Sequence, residues 1–123
     1  MKMLIAEDEE SLAKVFREKF EREKFTVKTV DSGDLVLSTV KNFMPDIILL
    51  DIILPKKSGL VVLKELKTDP EVGHIPVVMM SNLDGDEQIK ESLKNGAADY
   101  LVKSQHPINE MVDKVNNVVA HIK

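Results

Sequence analysis

The chain has no cysteine, which excludes disulfides, thiol catalysis and thiolate metal sites. It has no tryptophan and a single tyrosine, Tyr100, so that one residue invites a question. No apolar run is long enough to span a bilayer. The opening residues Met1-Lys2-Met3-Leu4 enter an apolar run directly, without a signal segment or small-residue cleavage site. A cytoplasmic protein with no membrane partner is the expectation. No stretch is strongly basic and the net charge is −4, which argues against direct nucleic-acid binding. Repeats, low-complexity segments and linkers are missing as well. The remainder is ordinary globular sequence: 123 residues, 43% apolar and 31% charged, expected to form one domain over 1–123. A tail beyond about residue 121 this short leaves no room for an output domain in the chain.

Apolar runs alternate with amphipathic stretches five times, a pattern of repeated βα units with a parallel sheet and helices on both faces. The spacing predicts strands over 3–6, 26–30, 46–50, 76–80 and 99–102, and helices over 10–23, 33–43, 59–68, 85–95 and 107–121. The runs at 3–6, 46–50 and 76–80 are almost wholly apolar, as expected where both faces are covered. Phe25 to Val30 alternates instead, which suits an edge strand. A flavodoxin-like, doubly wound (βα)5 fold with strand order 2-1-3-4-5 satisfies this pattern and brings the first and third strands together at the switch point. Leu12, Phe16 and Phe20 give the first helix a buried face that Val15 falls outside. Asp84 with Glu87 resembles a capping box, Asn95-Gly96 a helix end, Asp69-Pro70 a helix stop and Pro107 a first helical position.

Four apolar runs stop on residues suited to phosphate or metal chemistry. Met3 to Ala6 runs into Glu7-Asp8, Ile47 to Leu50 into Asp51, Val77 to Met80 into Ser81, and Tyr100 to Val102 into Lys103. Parallel strands deliver all of them to one edge, where open α/β sheets bind ligands. Three carboxylates held close raise one another's pKa or recruit a cation, and hard oxygen ligands suit Mg²⁺. The Ile53 carbonyl is a further candidate ligand. Ser81 and Lys103 together could hold two phosphoryl oxygens while a metal holds the third, and phosphoryl transfer needs little beyond such positioning. Each residue alone has a plainer reading. Glu7 to Glu10 could be a solvated acidic turn before a helix, Ser81 a turn residue, Lys103 a surface cation and Tyr100 a half-buried strand aromatic. His74, His106 and His121 show no metal spacing and read as surface or capping residues. The six methionines read as core filler.

Several segments carry a family likeness: Leu4 to Glu9, Pro45 to Pro55 through Gly59, Val77 to Ser81, and Gly96 to Lys103. In these the chain resembles the receiver domain of two-component response regulators, of the stand-alone chemotaxis-regulator type, over essentially its whole length. The resemblance implies that Asp51 accepts a phosphoryl group from a histidine kinase or phosphotransfer protein. It implies Mg²⁺ (or Mn²⁺) on Asp8, Asp51 and the Ile53 carbonyl, with Glu7 acting through water. It further implies that Ser81 and Lys103 contact the acyl phosphate, and that Tyr100 turns inward as Ser81 moves. The response would reach a downstream target or output domain through the face at residues 84–121, and the early part of the first helix would dock the kinase.

Departures from the family pattern are Glu7 where Asp is also frequent, Ser81 for the commoner Thr, Asn82 for a small residue, and Ser104 for Pro. A cis bond before serine costs about 2.5–4 kcal/mol, so the Lys103–Ser104 bond is expected to be trans. Ile53 and Leu83, both apolar, flank the expected path of an attacking water and predict slow loss of the phosphoryl group. Three other functions compete with this one. An aspartate-nucleophile phosphatase would need a second acid where Ile53 is, and a flavodoxin-like cofactor binder would place phosphate against Glu7 to Glu10. A degenerate receiver would act without phosphorylation, yet all five key positions carry competent groups. No enzymatic turnover is expected beyond the domain's own phosphorylation and dephosphorylation.

Overall fold

The computed structural model describes residues 1–82 and 86–121, with the side chain of Asp86 outside the description. The chain runs β1 (Lys2–Ala6), α1 (Glu10–Arg22), β2 (Thr26–Val30), α2 (Val36–Phe43), β3 (Ile47–Asp51), α3 (Gly59–Thr68), β4 (Val77–Ser81), α4 (Asp86–Lys94), β5 (Asp99–Val102) and α5 (Ile108–Ala120). The strands form one parallel sheet in the order β2-β1-β3-β4-β5, as the apolar pattern predicts.

Period-two alternation divides the central strands between two cores. Met3, Ile5, Ile47, Leu49, Val78, Met80 and Leu101 pack against Phe16 and Phe20 of α1 and Met111, Val112 and Val115 of α5. Leu4, Ile48, Leu50, Val77, Met79 and Tyr100 pack on the other side against Val36 and Val40 of α2 and Val62, Leu63 and Leu66 of α3. Burial on both faces explains the unbroken apolar runs. Leu12 is partly buried against the first of these cores, and Val15 is exposed.

Strand β2 is an edge, with Thr26 and Lys28 exposed. Strand β5 is the other edge. Its neighbour β4 takes the Lys103 N–H on the Ser81 carbonyl at 2.8 Å. Backbone groups alternate along a strand, so the N–H groups of Tyr100 and Val102 point away from the sheet. Each meets a nearby side chain: Asp99 Oδ1 accepts from Tyr100 N at 2.7 Å, and His106 Nδ1 lies 3.2 Å from Val102 N. Side chains thus close the edge that another strand would otherwise find open.

The boundaries differ from expectation in informative places. Strands β3 and β4 begin and end one residue later than predicted, so Asp51 and Ser81 are the last strand residues rather than the first loop residues. Their neighbours keep the ladder going: Ile52 N donates to the Met80 carbonyl at 3.0 Å. The second helix begins as a 3-10 turn over Gly33–Leu35 and becomes α-helical only at Val36. Gly33 lies against the Lys57 backbone, where any Cβ would overlap the Lys57 carbonyl. Pro107 is the N-cap of α5 rather than its first helical residue, and Gly96 takes a left-handed φ of +98° after α4. The capping box expected at Asp84 lies outside the described residues, as does Leu83.

Gly59 opens α3 directly beneath the end of β3. Its N–H donates to the Ile52 carbonyl at 2.6 Å, and a Cβ there would overlap the Asp51 carbonyl oxygen. Backbone atoms cannot swing aside as a side-chain tip can. Gly59→Ala is expected to destabilise the fold by about 1–3 kcal/mol, read as a lower urea midpoint. An unchanged midpoint would show that the β3–α3 junction can relax.

Candidate phosphoryl and metal site

Four strand ends build the site. At the end of β1, Glu7 N still donates to the Val30 carbonyl of β2 at 3.0 Å, which holds Glu7 in line with the strand. Its side chain folds back over the sheet edge, where Oε2 accepts from Glu9 N at 3.1 Å. Glu7 is buried, whereas Asp8 is exposed. At the end of β3, Asp51 is 3% exposed and its Oδ1 accepts from Ile53 N at 3.1 Å. The following loop turns back through Lys56 at a φ of +72° and is tied to the β2 side by Gly33 N donating to the Pro55 carbonyl at 3.1 Å. Ser81 ends β4 and is buried at the same edge.

Lys103 closes the arrangement from β5. Its ammonium donates to Glu7 Oε1 and to Asp51 Oδ2, both at 2.7 Å, and its side chain is 11% exposed. Carboxylate oxygens of Glu7, Asp8 and Asp51 lie within 4.8 Å of one another. Burial pushes the Glu7 carboxyl above its usual range; the Lys103 hydrogen bond pulls it back and the Asp51 charge pushes it further up. Burial opposes the charge on Lys103, but the hydrogen bonds it donates to Asp51 and Glu7 hold its pKa above the usual lysine value. Three clustered carboxylates face a single ammonium, so one cation alone cannot balance the anionic capacity of the group. A hard divalent cation matches that deficit in charge and in ligand chemistry, so the donor set fits Mg²⁺ or Mn²⁺.

The structure therefore brings Glu7, Asp8, Asp51, Ser81 and Lys103 to one edge, as the strand ends predict. Tyr100 is more deeply placed than a half-buried aromatic: it is 5% exposed and packs in the core on the α3 side. The Ile53 side chain is 59% exposed beside Asp51. No described peptide bond is cis, so Lys103–Ser104 is trans as expected. Two features escaped the sequence. Glu7 pairs directly with Lys103, 96 residues away, and no local pattern signals such a contact. His106, expected only as a surface or capping residue, caps one particular group, the outer edge of Val102.

The family model of the response regulator receiver domain matches residues 3–116. The chain belongs to that family. It is 35% identical over 111 residues to response regulator PleD of Caulobacter vibrioides, covering 90% of this chain and 24% of PleD. It is 32% identical to the polar-differentiation response regulator DivK of Brucella ovis, covering 94% of this chain and 93% of DivK. The chain thus spans about a quarter of PleD and nearly all of DivK. Among solved structures, the Francisella response regulator 1452 receiver domain superposes with a TM-score of 0.90 at 30% identity, covering 99% of this chain and 98% of that one. Receiver domains are signalling domains, and no described helix here is long and apolar enough to cross a membrane.

Proposed function

We propose that this domain, residues 1–123, is a phosphoacceptor of a histidine–aspartate phosphorelay and that Asp51 is the acceptor. One observation carries the reading: the Lys103 ammonium bridges two buried carboxylates, Asp51 and Glu7, beside the exposed carboxylate of Asp8. An Asp51 oxygen attacks the phosphorus of a phosphohistidine on a histidine kinase or phosphotransfer protein. The P–N bond breaks, and the imidazole leaves with the bonding pair. Lys103 and the Ser81 hydroxyl hold phosphoryl oxygens as charge shifts onto them. Asp8, Asp51 and the Ile53 carbonyl would hold Mg²⁺ or Mn²⁺, with Glu7 reaching it through water. When bound, the metal neutralises the charge of the carboxylates and the incoming phosphoryl group.

Phosphorylation changes partner binding only if two conformations hold the phosphoryl group unequally. Ser81 and Tyr100 are the coupling pair in this reading: Ser81 is drawn toward the phosphoryl group, and Tyr100, already packed in the core, is held there more firmly behind it. The responding face spans residues 84–121 and serves a downstream protein or output domain. A full switch takes about 5.5 kcal/mol of differential interaction, and a partial one less. The protein acts in the cytoplasm and turns over no separate substrate.

Incubation with acetyl phosphate tests this. With Mg²⁺, intact-mass spectrometry is expected to show one added phosphoryl group, and chelation with EDTA is expected to remove the gain. No gain with Mg²⁺ would favour a receiver that acts unphosphorylated. Steady turnover of an aryl phosphate would favour a phosphatase.

A further inference from the structure

Lysine carries its charge on a flexible four-carbon stem, so its aim depends on where the backbone presents it. Lys103 opens the segment that joins β5 to α5. Ser104 and Gln105 follow, and neither residue restricts the backbone as proline would. The restraint comes from Val102 instead. Its carbonyl accepts from Gln105 N at 3.0 Å and from His106 N at 3.1 Å. The imidazole Nδ1 of His106 lies 3.2 Å from Val102 N and 3.0 Å from Val102 O.

The count of donors and acceptors around Val102, rather than the distances, points to the tautomer. The Val102 carbonyl already has two backbone donors, whereas its N–H faces away from β4 and has no strand partner. Val102 is 4% exposed, so an unmet N–H there is costly. The ring that closes the set carries its proton on Nε2 and accepts the Val102 N–H at Nδ1. His106 thereby occupies the place a sixth strand would take, one residue before Lys103.

We infer that His106 is a positioning residue for Lys103: its imidazole pins Val102 at the sheet edge and so sets the point from which the ammonium reaches Asp51. The inference rests on the phosphoacceptor reading. It separates two affinities: the carboxylates that hold a metal lie on β1 and β3, so a loosened Lys103 weakens the phosphoryl contact from β5 while easing, rather than adding to, competition for Asp51 and Glu7.

The test measures Mg²⁺ binding by calorimetry and, at saturating Mg²⁺, binding of the phosphoryl mimic beryllofluoride by ¹⁹F NMR. His106→Ala is expected to bind beryllofluoride about tenfold more weakly, with no loss of Mg²⁺ affinity, since a loosened ammonium competes less for Asp51 and Glu7. Asparagine carries its Oδ1 at the same distance along the side chain as Nδ1, so His106→Asn is expected to restore beryllofluoride binding. His106→Gln moves the acceptor one bond outward and is expected to behave as His106→Ala; it decides the matter if His106→Ala does not fold. His121→Ala, at a ring bonded to the Asn117 carbonyl of α5, is expected to match wild type. Wild-type beryllofluoride binding in both His106→Ala and His106→Gln, an equal loss of both affinities, or no rescue by asparagine would overturn the positioning role. Failure of the wild-type protein itself to bind beryllofluoride with Mg²⁺ would instead remove the phosphoacceptor reading and this inference with it.

Discussion

Asp51→Asn is expected to abolish the Mg²⁺-dependent mass gain from acetyl phosphate while leaving the fold in place. The amide keeps the size of the carboxylate, and its oxygen can still accept the Ile53 N–H that Oδ1 accepts at 3.1 Å. It loses the anionic oxygen that would act as nucleophile in the phosphoacceptor reading. Its NH₂ would face the Lys103 ammonium, donor against donor, so Lys103 would keep only Glu7 as its partner. Removing one of three clustered carboxylates also relieves repulsion, so the thermal midpoint is not expected to fall. Intact-mass spectrometry and a thermal melt check both statements. An equal mass gain in wild type and variant would place the acceptor elsewhere.

Lys103→Met is expected to act on chemistry and on stability together. Loss of a pre-placed cation from the phosphoryl contact should slow phosphorylation by about a hundredfold or more. Without divalent metal, the variant leaves Glu7 and Asp51 buried with no counter-charge, at a cost of about 3–5 kcal/mol. Mg²⁺ should return much of that stability, since it binds the folded state alone. The pH dependence has a definite sign. Burial already raises the folded-state pKa of Glu7 above its usual 4.5, so the folded chain holds that proton more tightly than the unfolded chain. Stability from this group is present at low pH and declines as pH rises from about 4.5 through the raised value. Lys103 moderates the shift, and its removal should carry the decline to higher pH. Urea titrations in EDTA at acidic and mildly alkaline pH read this directly. A variant as stable as wild type at the higher pH would mean that Lys103 does not balance the carboxylates in the free protein.

The two edges of the sheet illustrate what could be read in advance. The alternation of Phe25 to Val30 reports an edge strand because one pattern records one-sided burial. The apolar runs of β3 and β4 report central strands because both faces are covered. Their final residues were misplaced by one, since a strand ends where its partner stops pairing. That partner is remote: the Ile52 N–H is held by Met80. The 3-10 start of the second helix has a similar origin in the approach of Gly33 to the Lys57 carbonyl. Neither contact leaves a trace in local periodicity.

The same division holds at the site. Order along the chain was enough to bring the Glu7-Asp8 pair, Asp51, Ser81 and Lys103 to one edge, because parallel strands joined by helices all deliver their carboxyl ends there. The pairing of Lys103 with Glu7 and Asp51, the depth of Tyr100 and the attachment of His106 to Val102 came only from the folded chain. Side-chain period and strand order are local and additive properties, and a linear sequence carries them openly. Which oxygen meets which ammonium depends on angles and burial set by every neighbouring element at once, so only the three-dimensional packing could decide it.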